Sequence, residues 1–253
     1  MRRLVSLLSL LGLILLACCC GVTAAEQSPA KVRVLLITGD DVGVHPWKET
    51  TKATVAALNA SGKFDVTVTE DLGVLDSADG LKPYGVIYLN RFNAKKLPLS
   101  EQAQQNLLDF VKGGKGFFIQ HLASASFPAW DEFGKLCGRY WVMGKSGHGP
   151  RSIVEAKIAD KEHPITRGIE DFKTDDELYA KLAGQGPIQV LVQAHSEWSK
   201  KTEPLVFCLT YGKGRVVHNC FGHDGKALAT PEVRKIIVRG VEWAATGQAS
   251  EEK

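Results

Sequence analysis

Strand-like apolar segments alternate with helix-like segments through the first half of this 253-residue chain, and this alternation restricts the fold more than any other feature. A nearly continuous run of β-branched residues and leucines predicts a strand at residues 32–38 that is buried on both faces. A helix is predicted at residues 47–60, and further strands are predicted at residues 64–70, 85–89 and 116–120. Such alternation implies parallel strands joined by crossover helices. The sequence therefore predicts an α/β, three-layer fold with a mostly parallel central sheet and helices on both faces.

The second half of the chain has a different pattern. Residues 127–150 form an irregular stretch rich in aromatic residues and glycine, which is typical of a packed excursion or a binding loop. Shorter segments follow and predict antiparallel additions to the sheet, with a last helix at residues 231–245. The strands predicted here are residues 152–158, 177–182, 188–194, 205–210 and 215–220. We assign residues 31–248 to a single domain, because no linker or repeat divides them and this length can bury a substantial core.

Residues 1–25 have the composition of a secretory signal peptide. Two arginines precede an apolar run at residues 4–16, which is too short to span a bilayer comfortably. The stretch that ends at Cys18 resembles a bacterial lipoprotein signal, whereas residues 22–25 suit an ordinary signal peptidase. We therefore expect an exported protein of the periplasm or cell envelope, and a lipid anchor is one of the two outcomes that remain open.

The charge of the chain gives no support to a nucleic-acid partner. The formal net charge is +3, and the charged residues are interspersed rather than clustered. No Gly-x-Gly-x-x-Gly follows the first predicted strand, and no phosphate-loop lysine motif occurs. Nucleotide binding is therefore unsupported as well.

Four titratable residues follow or end predicted strands or lie in the irregular stretch: His121, His148, Glu177 and His223. Ligands of open α/β sheets bind at the carboxyl edge of the strands. We therefore predict that these four residues converge on one cleft at that edge and act as catalytic residues. A residue at a wet sheet edge contributes little packing, so we expect His121→Ala to abolish function without changing the melting temperature.

Six further residues are predicted to bind substrate around this cleft. His45 and Trp47 begin the first helix, where backbone amides favour an anionic or hydroxyl-rich ligand. Ser124 is the hydroxyl residue near the turn at His121, but no Gly-x-Ser-x-Gly motif surrounds it. The other three are Trp141, Tyr179 and Asp224. We interpret His163, which precedes a proline, as part of a turn.

Two kinds of chemistry fit these side chains. An imidazole can act as a base while a carboxylate or a second imidazole acts as the acid near neutral pH. Alternatively, His121, His148 and Glu177 can hold a divalent metal ion that keeps open positions for substrate oxygens. The sequence leaves both alternatives open, so a divalent metal ion is the one cofactor that it suggests.

Seven groups of residues, in order along nearly the whole mature chain, resemble the ThuA-like family of trehalose-utilisation proteins. They are Gly39-Asp-Asp with His45-Pro-Trp47, the strand into His121, Gly147-His-Gly149, residues 163–168, Asp176-Glu-Leu-Tyr179, residues 211–216 with Gly222-His-Asp224, and residues 239–245. The resemblance implies a fold akin to class I glutamine amidotransferases and flavodoxin. In the amidotransferase architecture a catalytic cysteine occupies the sharp turn after a central strand, but His121 stands there in this chain. We therefore expect no glutamine amidotransferase activity.

The resemblance also implies a role in carbohydrate metabolism, with a small-molecule carbohydrate as the partner. Our leading interpretation is an exported sugar-processing enzyme, an isomerase or a lyase, that acts on a disaccharide or keto-sugar derivative. One alternative is a non-catalytic carbohydrate-binding protein with stacking surfaces at Trp47, Trp130, Tyr140 and Trp141. The other is a hydrolase that uses Ser124 or a metal-bound water.

Overall fold

Nine strands form one sheet in the part of the chain that a computed structural model describes, residues 30–39, 43, 45–93 and 98–250. The strands are β1 (Val32–Gly39), β2 (Phe64–Thr69), β3 (Val86–Arg91), β4 (Gly116–Gln120), β5 (Ser152–Ile158), β6 (Phe172–Asp176), β7 (Gln189–Ser196), β8 (Lys201–Tyr211) and β9 (Gly214–Asn219). Their order across the sheet is β2-β1-β3-β4-β9-β8-β7-β5-β6. The predicted signal peptide, residues 1–25, lies outside the described residues. No described helix has the length and hydropathy needed to cross a bilayer.

Helices cover both faces of the sheet, as predicted. They are α1 (Trp47–Ala60), α2 (Ala78–Leu81), α3 (Glu101–Lys112), α4 (Asp131–Cys137), α5 (Gly225–Leu228) and α6 (Pro231–Thr246). Successive side chains of a strand point to opposite faces. Val34 and Leu36 of β1 accordingly join the core that contains α1 and α6, while Leu35 and Ile37 join the opposite core with α3 and α4. These two cores confirm the predicted three layers.

The sheet divides into two halves with different strand pairing. Strands β1, β2, β3, β4 and β9 pair in parallel, as the alternation of strands and helices predicts, and we call them the parallel half. Strands β5 to β8 pair antiparallel with one another, and β8 pairs antiparallel with β9. We call β5 to β8 the antiparallel half. It confirms the predicted additions in the C-terminal half of the chain.

One predicted strand is wrong, because residues 177–182 form no strand. Strand β6 ends at Asp176, and the chain continues irregularly from Glu177. The buried side chains of β6 are Phe172, Thr174 and Asp176, so its inner face changes from apolar to charged within five residues. Hydrophobic alternation therefore misses this strand. As a result, Glu177 leaves the end of β6 rather than beginning a strand of its own.

The carboxyl ends of β1, β4 and β9 lie at the same edge of the parallel half, because these strands run in one direction. In the β4 and β9 pair, Gln120 is opposite Asn219. His121 and Cys220 therefore leave their strands side by side. This edge holds the candidate functional site.

Candidate functional site

Four histidines surround the carboxylate of Glu177, and we call these five residues the histidine cluster. Oε2 of Glu177 lies 3.4 Å from Nε2 of His45 and 3.5 Å from Nε2 of His121. Oε1 lies 3.1 Å from Nδ1 of His223 and 3.5 Å from Nε2 of His148. The structure therefore brings together all four residues that we predicted to be catalytic, and it adds His45 to them.

The backbone and one hydrogen bond fix the orientation of His121. Strand β4 ends one residue before it, and His121 itself adopts φ = +43° as the chain enters a 3₁₀ turn. Residues other than glycine rarely adopt this left-handed conformation, and such strain is concentrated at functional sites. Nδ1 of His121 donates a 2.6 Å hydrogen bond to the carbonyl oxygen of Cys220, since a carbonyl can only accept. In the neutral ring, Nε2 therefore carries the lone pair, and it faces His45 and Glu177.

The burial of His121 contradicts one sequence-based expectation. The residue is only 2% exposed, and its ring stacks on Tyr179 with the ring centroids 4.2 Å apart. The premise of a wet sheet edge is therefore wrong. Truncation of a buried ring leaves a cavity, so His121→Ala should lower the free energy of unfolding as well as abolish function.

Asp176 ties the antiparallel half to the loop after β9. Its side chain is completely buried and accepts hydrogen bonds from the backbone N–H groups of Gly222 at 2.7 Å and His223 at 3.1 Å. It also accepts a 2.8 Å bond from the N–H of Glu177. Hydrogen bonds to an ionised acceptor are stronger than bonds between neutral groups. Asp176 thus fixes the carboxylate of Glu177 relative to the ring of His223.

A buried amide network supports the same loop from the parallel half. Oε1 of Gln120 accepts hydrogen bonds from the hydroxyl of Tyr88 at 2.7 Å and from Nδ2 of Asn219 at 3.2 Å. Nε2 of Gln120 donates to the carbonyl oxygen of Phe221. Gly222 has φ = +114°, and a Cβ atom there would lie only 2.2 Å from Nε2 of Gln120. Only glycine fits this close approach, so the network determines the path of the loop.

Burial and mutual contact set the protonation states of the cluster. Burial raises the pKa of Glu177, but the imidazoles of His121 and His45 lower it by more, so the carboxyl group is ionised at neutral pH. Burial lowers the pKa of His45 and keeps its ring neutral, against the opposing effect of Glu177. Burial, together with the charge of Glu177, raises the pKa of Tyr179 and keeps its phenol protonated. An ionised carboxylate and a neutral imidazole are the forms that bind metal ions.

His45, His121 and Glu177 present three ligand atoms at the corners of a nearly equilateral triangle. Its sides are 3.3, 3.4 and 3.5 Å. Tetrahedral ligands about 2.1 Å from a zinc-like ion lie about 3.4 Å apart, whereas neighbouring octahedral ligands at that bond length lie about 3.0 Å apart. Oε2 of Glu177 is buried and accepts no hydrogen bond from the described residues. The triangle therefore fits one tetrahedral divalent ion.

The predicted metal ligands differ from those that the structure groups together. The prediction named His148 beside His121 and Glu177, whereas the structure places the ligand atoms of His45, His121, Glu177 and His223 within 4.8 Å of one another. Nδ1 of His148 donates to the carbonyl of the next residue at 2.6 Å, and its Nε2 faces Oε1 of Glu177. Sequence position alone gave His45 a substrate-binding role, because its contact with His121, 76 residues away along the chain, has no local sequence pattern.

Three of the predicted substrate-binding residues lie against the cluster. Trp47 lines the narrow cleft over His45, His121 and His223. Tyr179 stacks behind His121, and Trp141 lies next to Tyr179 with the ring centroids 4.8 Å apart. These aromatic rings form the walls of the site.

Two other predicted residues have structural surroundings instead. Asp224 caps α5 by accepting from the N–H of Ala227 at 2.9 Å, and it pairs with Arg151. Burial raises the pKa of Asp224, but Arg151 and the cap lower it by more. The hydroxyl of Ser124 is buried and has no hydrogen-bond partner among the described residues, so no imidazole lies in position to activate it.

The prediction of a turn at His163 is confirmed, because its Nδ1 accepts a 3.2 Å bond from the N–H of Ile165. Three residues at the site, Gln120, Asn90 and Arg91, were not among the residues predicted from sequence. Asn90 and Arg91 line the cleft, and Gln120 lies beneath it. Each of the three is a polar residue at the carboxyl end of a buried strand, which is the sequence feature that could have revealed them.

The family model named ThuA and described as trehalose utilisation matches residues 33–244. A ThuA-like protein from Parabacteroides merdae has 27% identity and a TM-score of 0.77, and the match covers 88% of this chain and 93% of that protein. A ThuA-like protein from Bacteroides uniformis has 17% identity and a TM-score of 0.66, over 89% of this chain and 97% of the other. No curated protein matches the chain significantly.

Proposed function

The chain belongs to the ThuA family, and we propose that it is an exported enzyme that acts on a disaccharide or keto-sugar derivative with a divalent metal ion bound by His45, His121 and Glu177. The triangle of ligand atoms, with sides of 3.3 to 3.5 Å, is the observation that supports the metal. The family description, trehalose utilisation, supports a carbohydrate substrate. The composition of residues 1–25 supports export.

The hydrogen bond from His121 to Cys220 favours a metal ion over proton transfer alone. This bond engages Nδ1, so Nε2 is the ring nitrogen that faces the cluster, and it lies 3.5 Å from Oε2 of Glu177. Oε2 accepts no hydrogen bond with good geometry from the described residues, and a cation held between these atoms would supply the partner that this buried oxygen lacks.

The two carboxylate oxygens of Glu177 face different pairs of histidines and have different roles in the proposed site. Oε2 faces His45 and His121, where a bound divalent ion would polarise a carbonyl or hydroxyl group of the sugar. Oε1 faces His223 and His148, which leaves these two rings outside the triangle of ligand atoms. His223 borders the cleft beside Trp47 and can accept or return a proton at its ring nitrogen. In this scheme His223 is the acid–base residue, and Glu177 orients it.

Metal titration tests this proposal directly. We expect the purified wild-type protein to bind one Zn²⁺ per chain, and bound Co²⁺ to give the intense visible absorption of a tetrahedral site. Glu177→Gln keeps the shape of the side chain but removes its charge, and it should weaken binding of both ions about 100-fold or more. Ser124→Ala is the matched control and should bind both ions as the wild type does. Equal Co²⁺ binding by wild type and Glu177→Gln would reject the metal site.

Substrate chemistry requires a second measurement on the same protein. A panel of disaccharides and their keto derivatives should show turnover with Zn²⁺, and a chelator should abolish it. Turnover that a chelator leaves unchanged would favour acid–base chemistry by the histidines alone. Sugar binding without turnover of any panel member would instead identify a carbohydrate-binding protein.

A further inference from the structure

A second pocket adjoins the histidine cluster, and we call it the aromatic pocket. Its lining includes Phe92, Trp130, Asp131, Tyr140, Trp141 and Met143. Phe92 also lines the narrow cleft over the cluster, so the two cavities share a wall.

Trp141 connects the aromatic pocket to the cluster on its other side. The ring centroid of Trp141 lies 4.8 Å from that of Tyr179 and 6.1 Å from that of His148. Tyr179 in turn stacks on His121. Trp141, Tyr179 and His121 therefore form one continuous group of packed rings, and the aromatic pocket lies at its Trp141 end.

The chain around the aromatic pocket is held in an unusual conformation. Phe127 and Ala129 adopt φ = +51° and +65°, which is a strained conformation for residues other than glycine. Together with the wall that the two cavities share, this strain indicates a functional role for the segment.

We propose that the aromatic pocket binds the second, non-reacting ring of a disaccharide whose first ring lies at the histidine cluster. This inference rests on the proposed function and names its substrate class, a neutral disaccharide. A pyranose ring has an apolar C–H face and a rim of hydroxyl groups. The faces of Trp130 and Trp141 suit the apolar face, and the carboxylate of Asp131 can accept from the rim.

The charge of the lining indicates that the second ring is neutral. Among the described lining residues, Asp131 is the charged one, and no lysine, arginine or histidine lines the pocket. A phosphate or carboxylate on the second ring would lie near Asp131 without a cation to pair with. The aromatic pocket should therefore discriminate against phosphorylated or acidic disaccharides.

Calorimetry on the zinc-loaded protein tests the inference with trehalose, lactose and glucose as probes. At least one disaccharide should bind wild type about tenfold or more tighter than glucose, because the second ring adds stacking contacts. Trp141→Leu should weaken binding of that disaccharide about tenfold and should change the affinity for glucose by less than about twofold. Asp131 is exposed, so Asp131→Ala should not impair folding. It should weaken binding of the disaccharide several-fold.

Trp198→Leu is the matched control, since Trp198 is 43% exposed and lies outside the aromatic pocket. It should retain the preference for the disaccharide. Equal binding of glucose and both disaccharides by the wild type, or an equal loss of glucose and disaccharide binding in Trp141→Leu, would overturn the inference. Co²⁺ absorption measured on the same samples separates the two proposals. If the wild type binds Co²⁺ but does not prefer a disaccharide, only the inference about the aromatic pocket is overturned. If the wild type binds no Co²⁺, the proposed function is overturned.

Discussion

The two halves of the sheet contribute to the site in different ways. The parallel half supplies His45, His121 and His223 from the segments that follow β1, β4 and β9. The antiparallel half supplies Glu177 from the end of β6. His121 is 2% exposed, and its orientation follows from the pairing of two buried central strands. The position of Glu177 depends instead on Asp176, which holds the end of an outer strand against the central loop.

A cation site at the histidine cluster requires both halves of the sheet. Parallel strands bring imidazoles to one edge of the sheet. A cation bound at that buried edge would need a negatively charged partner. The antiparallel half folds back and provides that charge in a carboxylate that is 8% exposed. Substitutions in the parallel half should therefore affect folding and metal binding together, whereas substitutions at the end of β6 should affect mainly metal binding.

The largest expected effect comes from His121→Ala in the parallel half. Loss of a ligand should weaken Zn²⁺ binding about 100-fold or more. Loss of the buried ring, its stacking on Tyr179 and its bond to Cys220 should lower the free energy of unfolding of the metal-free protein by about 2 kcal/mol. Denaturant unfolding with a chelator present measures the second effect, and Zn²⁺ titration measures the first.

Glu177→Gln provides the comparison from the antiparallel half. It should weaken Zn²⁺ binding as strongly as His121→Ala, with a much smaller change in the free energy of unfolding of the metal-free protein. Equal destabilisation by both substitutions would contradict the distinction between the two halves.

The regular part of the fold could be predicted from sequence because its pattern is local. The run at residues 32–38 and the glycine-bounded run at residues 116–120 are buried strands, and their apolar continuity shows it. Because parallel strands end at a common edge, His121 and His223 could be placed at the site as well. Their approach follows from strand direction, which the alternation with helices already determines.

The irregular part could not be predicted because its determinants are long-range. β6 carries a buried Asp176 whose partners lie 46 and 47 residues away, so hydrophobic alternation misplaced the strand onto residues 177–182. His45 is a ligand candidate only through the contact of its ring with the ring of His121, which lies 76 residues away along the chain. Neither contact has a periodic sequence pattern.

The next largest effect is a pH dependence at His218, on β9, where the two halves join. His218 is completely buried, Nε2 has no hydrogen-bond partner among the described residues, and burial lowers its pKa to about 4. The unfolded chain protonates this histidine below about pH 6.5, whereas the folded chain resists protonation until about pH 4. Stability should therefore be full above pH 6.5 and should fall by about 3 kcal/mol as the pH drops to 4.

Denaturant unfolding of the metal-free protein across this pH range measures the decline. In His218→Gln, which cannot titrate, the decline should be smaller by that amount. An unchanged pH dependence in this variant would show that other groups cause it.

A smaller effect is expected from Asp176→Asn, which tests the connection between the halves. The neutral amide accepts the backbone N–H groups of Gly222 and His223 less strongly, so the free energy of unfolding should fall by about 2 kcal/mol. Zn²⁺ binding should weaken about tenfold, because residues that orient ligands typically contribute that much. Asp175→Asn is the matched control: Asp175 pairs with Lys226 and Arg151 in partly exposed ion pairs, whose loss should cost under about 1 kcal/mol. Equal effects of the two substitutions would show that the hydrogen bonds of Asp176 do not hold the two halves together.

The smallest effect should come from His148→Ala, and it decides between the proposed ligands His45, His121 and Glu177 and the set predicted from sequence. The side chain of His148 is 33% exposed, and Nε2 faces Oε1 of Glu177, away from the triangle of ligand atoms. Its Nδ1 is already bonded within its own loop, so its loss leaves no buried group without a partner elsewhere. Zn²⁺ affinity should therefore change by less than about threefold, against the 100-fold loss expected for His121→Ala. If His148→Ala instead weakens Zn²⁺ as strongly as His121→Ala does, then His148 is a ligand, and the loop that carries it must move closer to the metal than the structure shows.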